Sequence, residues 1–207
     1  DMARFQEFRG LAEKLPVVPL GDIDTALPGL RRETLYRWRR KGYISMAAPG
    51  FYVLAGSIEN ERDLFAAASR LYTPSFVSLE SALAWHGLIP ETPLSVTSVT
   101  TRKTRTISSE IGEFIYRTVK PDYWFGYEVE GTQSSRFMMA KPERAIIDLL
   151  YLRRDLRTPE DIVELRLNEE RLRPLNDNLL MTAERFKSKV LQKRCHMLTE
   201  VLEHAGS

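Results

Sequence analysis

Six basic side chains fall within eleven residues near the N-terminus, at positions 31–41, against a single acid, Glu33. Lysine and arginine neutralise phosphates, and an arginine can donate two hydrogen bonds to the edge of a guanine base. A cluster of this kind on one helix predicts contact with the backbone and the base edges of DNA. The candidate contact residues are Arg31, Arg32, Glu33, Thr34, Tyr36, Arg37, Arg39, Arg40 and Lys41.

The helical spacing of this segment separates a docking face from a polar face. At about 100° per residue, Leu35, Trp38 and the stem of Arg31 share one side, and charged residues lie opposite. Helix-turn-helix proteins contact bases with the N-terminal part of their second helix. We therefore expect base-edge contacts from Arg32, Glu33, Tyr36 and Arg37, and phosphate contacts from Arg39, Arg40 and Lys41. The alternative is a solvated basic face without a partner.

The order of elements around the basic helix favours DNA binding over a solvated face. A short helix ends at the turn Pro28-Gly29, the basic helix follows, and a hairpin comes next. This order predicts a winged helix-turn-helix DNA-binding domain over residues 1–56. The predicted elements are helices at 3–14, 22–27 and 31–41 and strands at 43–47 and 51–54.

The remaining residues, 57–207, predict a larger α+β domain. Residues 60–72 have helical spacing and form a connector, and Ser78 is suited to cap a helix over residues 79–86. Segments rich in β-branched and aromatic residues predict four strands of a small antiparallel sheet, at 96–101, 114–119, 124–129 and 136–139. C-terminal helices are predicted at 143–152, at 159–167 and, with breaks, at 178–204. The predicted fold class is therefore α+β.

A second basic cluster lies near the C-terminus. Its residues could add contacts to the DNA backbone, although a solvated helix face is the simpler explanation. The cluster consists of Arg185, Lys187, Lys189, Lys193 and Arg194.

Residue types that could support catalysis or bind metal each have a simpler explanation here. Asp22 and Asp24 have the spacing of a divalent-metal pair, but no third carboxylate or phosphate-binding loop is evident nearby, so helix-capping acids explain them better. His86 stands at a predicted helix C-terminus, where an imidazole is favourable, and His196 and His204 have no partners in the sequence. We predict no catalytic residue, no metal and no cofactor.

Composition is typical of a globular protein. The 207 residues are 43% hydrophobic and carry a formal net charge of +2. No apolar run of about 18 residues appears and the N-terminus lacks a secretory signal pattern, so we expect a cytoplasmic protein without a membrane partner. The single cysteine, Cys195, excludes an internal disulfide and a cysteine-rich zinc site. It is expected to be a small core residue or an inert surface thiol.

Three longer segments resemble the AbiEi-type antitoxins. They are FVSLESALAWHGLIP at 76–90, VTSVTT at 96–101 and AKPERAIIDLLY at 140–151. TLYRW at 34–38, GYI at 42–44 and GFY at 50–52 are similar to the family's recognition helix and wing. The chain departs from the family pattern at Arg144, where lysine is common, and at Leu30-Arg31, where a serine or threonine cap is expected.

The resemblance implies a winged helix-turn-helix followed by an antitoxin domain. It also implies a repressor of its own operon that binds an inverted-repeat operator and counteracts a nucleotidyltransferase-type toxin, without requiring a stable complex with it. Two alternatives stay open. One is a stand-alone winged-helix transcription factor with a sensing or dimerising domain, and the other is a nucleic-acid-processing enzyme built on the strands between residues 95 and 140.

Overall fold

A computed structural model describes residues 2–204, which form an α+β fold with two β-sheets. The N-terminal part holds three helices and a three-stranded antiparallel sheet in the strand order β1-β3-β2. Its elements are α1 (Met2–Ala12), β1 (Val18–Pro19), α2 (Leu20–Ala26), α3 (Arg32–Arg40), β2 (Ile44–Ala48) and β3 (Phe51–Leu54). The helices and the hairpin lie where the sequence predicted them, and β1 is an additional strand.

Glycines shape two of the N-terminal turns. Gly29, between α2 and α3, has φ +78°, and Gly50, between β2 and β3, has φ +82°. A left-handed backbone is unstrained in glycine because it has no Cβ. The chain can therefore reverse direction sharply before α3 and again in the hairpin, as the sequence predicted.

Buried aromatic and aliphatic side chains hold α1, α2 and α3 on the small sheet. Trp38 is 2% exposed, and its ring meets the edge of Phe5 with 5.2 Å between ring centroids. Burying a side chain of this size stabilises a fold by about 1.5–3 kcal/mol. This N-terminal core consists of Phe8, Val18, Ile23, Leu27, Leu35, Trp38 and Ile44.

The larger part of the chain contains the second sheet and seven α-helices among the described residues. In chain order its elements are α4 (Glu61–Leu71), β4 (Ser75–Val77), α5 (Leu79–Trp85), β5 (Val96–Thr100), β6 (Arg105–Ser109), β7 (Gly112–Thr118), β8 (Tyr127–Glu130), β9 (Phe137–Ala140), α6 (Pro142–Leu152), α7 (Pro159–Val163), α8 (Glu169–Leu172), α9 (Asn176–Glu184) and α10 (Lys189–His204). The α+β class was predicted and is confirmed.

The second sheet has six strands and is mixed, so the prediction of four antiparallel strands was wrong. Its order is β6-β7-β5-β4-β9-β8, and the pairs β5 with β7 and β4 with β9 are parallel. Residue alternation shows which positions face the core but carries no information on strand direction. Two strands were not predicted from the sequence: β4, which is three residues long, and β6, which has only one buried residue, Ile107.

The end of one predicted helix and the cap of another differ in the structure. The helix predicted at 159–167 ends at Val163, and Arg166 then adopts a left-handed φ of +52°, which breaks the helical path before α8. Ser78 precedes α5 as predicted, but its hydroxyl donates to Asp148 instead of capping the helix. The Ser81 N–H at the start of α5 is bound by the Thr97 hydroxyl of strand β5.

A buried ion pair joins two residues of α6 that are one helical turn apart. Arg144 and Asp148 are both 0% exposed, and Arg144 Nε and Nη2 donate to the same carboxylate oxygen at 3.0 and 2.8 Å. Ser78 Oγ donates to the other oxygen at 2.6 Å. Arg144 Nη1 donates to the carbonyls of Tyr123 and Phe125, so every nitrogen of the guanidinium has a partner.

The two parts of the chain are packed against each other. Val17, Ala47, Ala48 and Val53 of the N-terminal part belong to the same buried cluster as the core of the larger part. The small sheet therefore has one face on α1 to α3 and contributes side chains to the second core.

Candidate nucleic-acid interface

Helix α3 begins at Arg32, with Arg31 as its N-cap residue in an extended conformation (φ −78°, ψ 146°). The Arg31 side chain makes no capping hydrogen bond. The helix therefore begins one residue after the predicted start at residue 31, and Arg31 lies just before the first turn.

The two faces of α3 differ as its spacing predicted. Leu35 and Trp38 are 1% and 2% exposed and hold the helix on the N-terminal core. Thr34 is half-buried, whereas Tyr36 keeps 61% of its surface exposed although it is a large aromatic residue. The other candidate residues of the helix are also exposed: Arg31, Arg32, Glu33, Arg37, Arg39, Arg40 and Lys41.

Arg32 is held by an acid of the preceding helix. Its two terminal nitrogens donate to the two carboxylate oxygens of Asp24 at 2.8 and 2.7 Å. The Arg32 guanidinium keeps the pKa of Asp24 below its ordinary value. This two-pronged pair ties α2 to α3, and it gives Asp24 a structural partner.

Arg39 is held by the larger part of the chain. Its guanidinium pairs with Glu110, which lies in the turn between β6 and β7, and the other Glu110 oxygen accepts the Met46 N–H of strand β2 at 3.0 Å. Partial burial raises the pKa of Glu110, but the Met46 N–H and Arg39 lower it by more, so its net pKa is below the ordinary value. One carboxylate thus fixes α3 and the hairpin to the second sheet.

Glu110 was not among the candidate site residues predicted from the sequence. Its partners, Arg39 and Met46, lie 71 and 64 positions away in the chain. A single glutamate in a strand turn is a common surface feature. No local pattern could have identified this contact.

The outer side of α3 carries an exposed ridge. Its members follow the three- and four-residue spacing of one helix face, and they are Glu33, Tyr36, Arg37 and Arg40. Within the ridge, Arg37 Nη2 lies 3.4 Å from the Thr34 hydroxyl, and the Arg40 guanidinium lies 5.9 Å from the centre of the Tyr36 ring. Lys41 follows at the helix end, 5.9 Å from the ring of Tyr43.

The C-terminal basic cluster does not form one surface. Arg194 is 7% exposed and donates to the carbonyls of Leu150 and Leu156, so its prediction as a phosphate contact was wrong. It satisfies carbonyl groups at and beyond the end of α6 instead. Arg185 lies over the ring of Phe125, 3.4 Å from its centre. The exposed lysines of the cluster are Lys187, Lys189 and Lys193.

The isolated histidines and the cysteine have structural surroundings. The Nε2 atom of His86 lies 2.8 Å from the carbonyl oxygen of Ala140, and the Nδ1 atom of His204 lies 2.7 Å from that of Glu200. His196 Nε2 lies 3.3 Å from the Glu200 carboxylate. Cys195 is buried, and burial raises the pKa of its thiol to about 12.

The acids Asp22 and Asp24 are not part of a carboxylate cluster. Asp22 lies in the first turn of α2, with its carboxylate 3.8 Å from the guanidinium of Arg70. Within residues 2–204, no three histidine, cysteine or acidic side chains lie close enough together to hold a metal ion.

No protein-family model matches the chain, and no curated protein matches it at a significant level. Among the described helices, none is both long enough and apolar enough to cross a membrane.

Proposed function

We propose that residues 1–56 form a winged helix-turn-helix that binds double-stranded DNA through α3, and that the protein is a sequence-specific repressor of its own operon. The observation that carries this proposal is the exposed ridge on α3, opposite the buried Leu35 and Trp38. A helix held by its apolar side and presenting long donors on the other has the arrangement that major-groove recognition needs. The succession α2, α3 and the β2–β3 hairpin supports the same class.

Base contacts are assigned to the ridge, where donors, an acceptor and an aromatic ring alternate. Arg37 can donate to the O6 and N7 atoms of a guanine, and Glu33 can accept from the amino group of a cytosine. Arg40 and Lys41 lie toward the end of the helix and are assigned to phosphates, together with Arg31 before its first turn. Each phosphate contact should add about 0.9 to the salt dependence of binding.

Arg32 and Arg39 have a different role in this proposal. Each is engaged by a carboxylate of another element, Asp24 for the first and Glu110 for the second. They fix α3 to α2 and to the second sheet instead of contacting DNA. The number of phosphate contacts expected from the helix is correspondingly smaller than the basic cluster in the sequence suggests.

The larger α+β part is proposed to carry an antitoxin activity that counteracts a nucleotidyltransferase-type toxin. The support for this proposal is the resemblance of residues 76–90, 96–101 and 140–151 to AbiEi-type antitoxins. These segments form β4 with α5, strand β5, and α6 with the end of β9. We propose that this part acts without a catalytic reaction of its own.

A mobility-shift series on the DNA upstream of the gene tests the DNA-binding proposal. Arg37→Ala should reduce the preference for this DNA over a shuffled duplex by about 5- to 150-fold, the equivalent of about 1–3 kcal/mol. Arg40→Ala should weaken binding to both duplexes to the same extent. Arg154→Ala is the matched control, because Arg154 is exposed and lies after α6, outside the ridge. Unchanged binding in both ridge variants would refute the assignment.

Co-expression tests the antitoxin proposal separately. An antitoxin should be encoded beside a nucleotidyltransferase-like toxin, and its co-expression should restore the growth of cells that produce the toxin. The Arg37→Ala variant is informative here, because it should lose repression but retain this rescue. Full toxicity in the presence of the unmodified protein would refute the antitoxin role and leave the DNA-binding proposal intact.

A further inference from the structure

A cavity of about 410 Å³ lies where the N-terminal part meets the larger part. The segment between α1 and β1 forms one wall with Leu15 and Pro16, and α4 forms another with Ala66. Strand β9 forms a third wall with Phe137 and Met138, and the cavity is open to solvent on one side. A volume of this size is within the range of small-molecule sites, about 300–1,000 Å³, and the walls are mainly apolar as in such sites.

The charged residues that line this cavity are all basic. Lys14, Arg70 and Arg136 line it, and no aspartate or glutamate does among the described residues. Lys14 and Arg136 make no ion pair within residues 2–204. Arg70 has a long contact, 3.8 Å, to the carboxylate of Asp22. Cations without carboxylate partners beside an apolar cavity favour an anionic ligand.

We propose that this cavity binds a small organic anion, a carboxylate or phosphate ester on an apolar body. The apolar body would contact Leu15, Phe137 and Met138, and the anionic group would lie toward Lys14 and Arg136. Since a water molecule occupies about 30 Å³ in the liquid, the cavity corresponds to roughly 14 water volumes. A compact ring system or a short aliphatic acid fits this space.

The position of the cavity connects the ligand to the proposed DNA binding, and this step rests on that proposed function. Leu15 and Pro16 lead directly into β1, whose Val18 pairs with Tyr52 of the hairpin. The opposite walls belong to the larger part. A ligand that contacts both parts stabilises one relative position of them, and by linkage DNA and ligand then alter each other's affinity by the same factor.

Binding of the dye anilinonaphthalene sulfonate to the full chain tests the site itself, since the dye joins an apolar body to an anionic group. The variants Lys14→Gln and Arg136→Gln should each weaken dye binding about 5-fold, as expected for loss of one exposed ion pair. Arg136→Glu should weaken it further. Arg154→Gln is the charge-matched control, and Val163→Ser tests the separate groove between α7 and α10. Both should bind the dye as the unmodified protein does.

Three outcomes would overturn this proposal. The first is dye affinity that is unchanged in all the Lys14 and Arg136 variants, and the second is a loss seen instead in Val163→Ser. The third is a set of cavity variants that bind the dye normally but show a lower salt dependence of DNA binding, because their cations would then contact DNA.

The regulatory step is measured by repeating the dye titration with saturating operator DNA, where a change of at least 5-fold is expected. An unchanged dye affinity would overturn the coupling. Failure to bind any DNA would overturn the proposed function, while the dye result without DNA would still decide whether the site exists.

Discussion

Breaking the buried pair between Arg144 and Asp148 should be among the most destabilising single changes in this chain. In Asp148→Leu the guanidinium keeps its bonds to the carbonyls of Tyr123 and Phe125 but loses the carboxylate that pairs with it, in a site with no solvent exposure. Removing one partner of a buried ion pair costs about 3–5 kcal/mol. Domains are stable by about 5–15 kcal/mol, so this loss is about a fifth or more of the total stability.

The double variant Arg144→Met/Asp148→Leu distinguishes the contribution of the buried ion pair to stability from the contribution of side-chain packing. Replacing both residues leaves no unpaired ion in the core. The double variant should therefore lose less free energy of unfolding than the sum of the losses in the two single variants, by about 2–3 kcal/mol. Some loss should remain, because Arg144 also lies about 5 Å from the ring centres of Phe125 and Phe186. Urea unfolding monitored by circular dichroism measures each free energy of unfolding.

The exposed pair Arg153–Asp155, just after α6, is the matched control. Asp155→Asn should leave the urea midpoint close to that of the unmodified protein, since exposed pairs contribute little. If the losses from Arg144→Met and Asp148→Leu are simply additive, or if Asp148→Leu unfolds at the same midpoint as Asp155→Asn, the account of the pair as a coupled buried unit is refuted.

Three further predictions concern local features. Thr158→Ala removes the hydroxyl that caps α7 and should lower the free energy of unfolding in urea by about 0.5–2 kcal/mol. Thr158→Ser keeps a capping hydroxyl and should retain most of this stability. Because the net pKa of Glu110 is lowered by folding, its contribution to stability is complete at neutral pH and is lost as the pH falls. The difference in melting temperature between the unmodified protein and Glu110→Gln should therefore shrink below about pH 4, and a constant difference would refute this. Cys195, with a pKa of about 12, should react with a thiol reagent only after denaturation, so rapid labelling of the native protein would contradict its burial.

The local elements of the fold could be predicted from the sequence where a strong period or a turn residue marked them. The spacing of Leu35 and Trp38 predicted the buried side of α3. Gly29 predicted the turn before this helix, and Gly50 predicted the turn of the hairpin that follows it. These signals are local, because helical spacing and glycine conformations depend on a few neighbouring residues.

The pairing of distant segments could not be predicted in the same way. Strand β4 has only three residues, and Ser75, Phe76 and Val77 are all buried, so it shows no alternation. The parallel pairing of β4 with β9 joins segments about 60 residues apart. Tertiary packing determines both features, and no local pattern encodes them.

In the candidate interface, too, the local features could be predicted and the long-range contacts could not. The exposure of Tyr36 and the burial of Trp38 follow from helical spacing, but the engagement of Arg39 by Glu110 depends on a turn in the second sheet. The burial of Arg194 is a different case. It falls on the same side of α10 as Leu191 and Leu198, three and four residues away, so helical spacing could have identified it as a core-facing residue.

The salt dependence of DNA binding is the decisive test of a contact between α3 and DNA phosphates. Fluorescence anisotropy with a labelled duplex from the upstream DNA should give an affinity that falls linearly with salt on logarithmic axes. Arg40→Ala should lower the slope by about 0.9, whereas Arg39→Ala should leave it unchanged, because Glu110 already neutralises Arg39. Equal slopes for the unmodified protein and Arg40→Ala, or no salt-dependent binding at all, would contradict the proposal that the outer ridge of α3 contacts DNA.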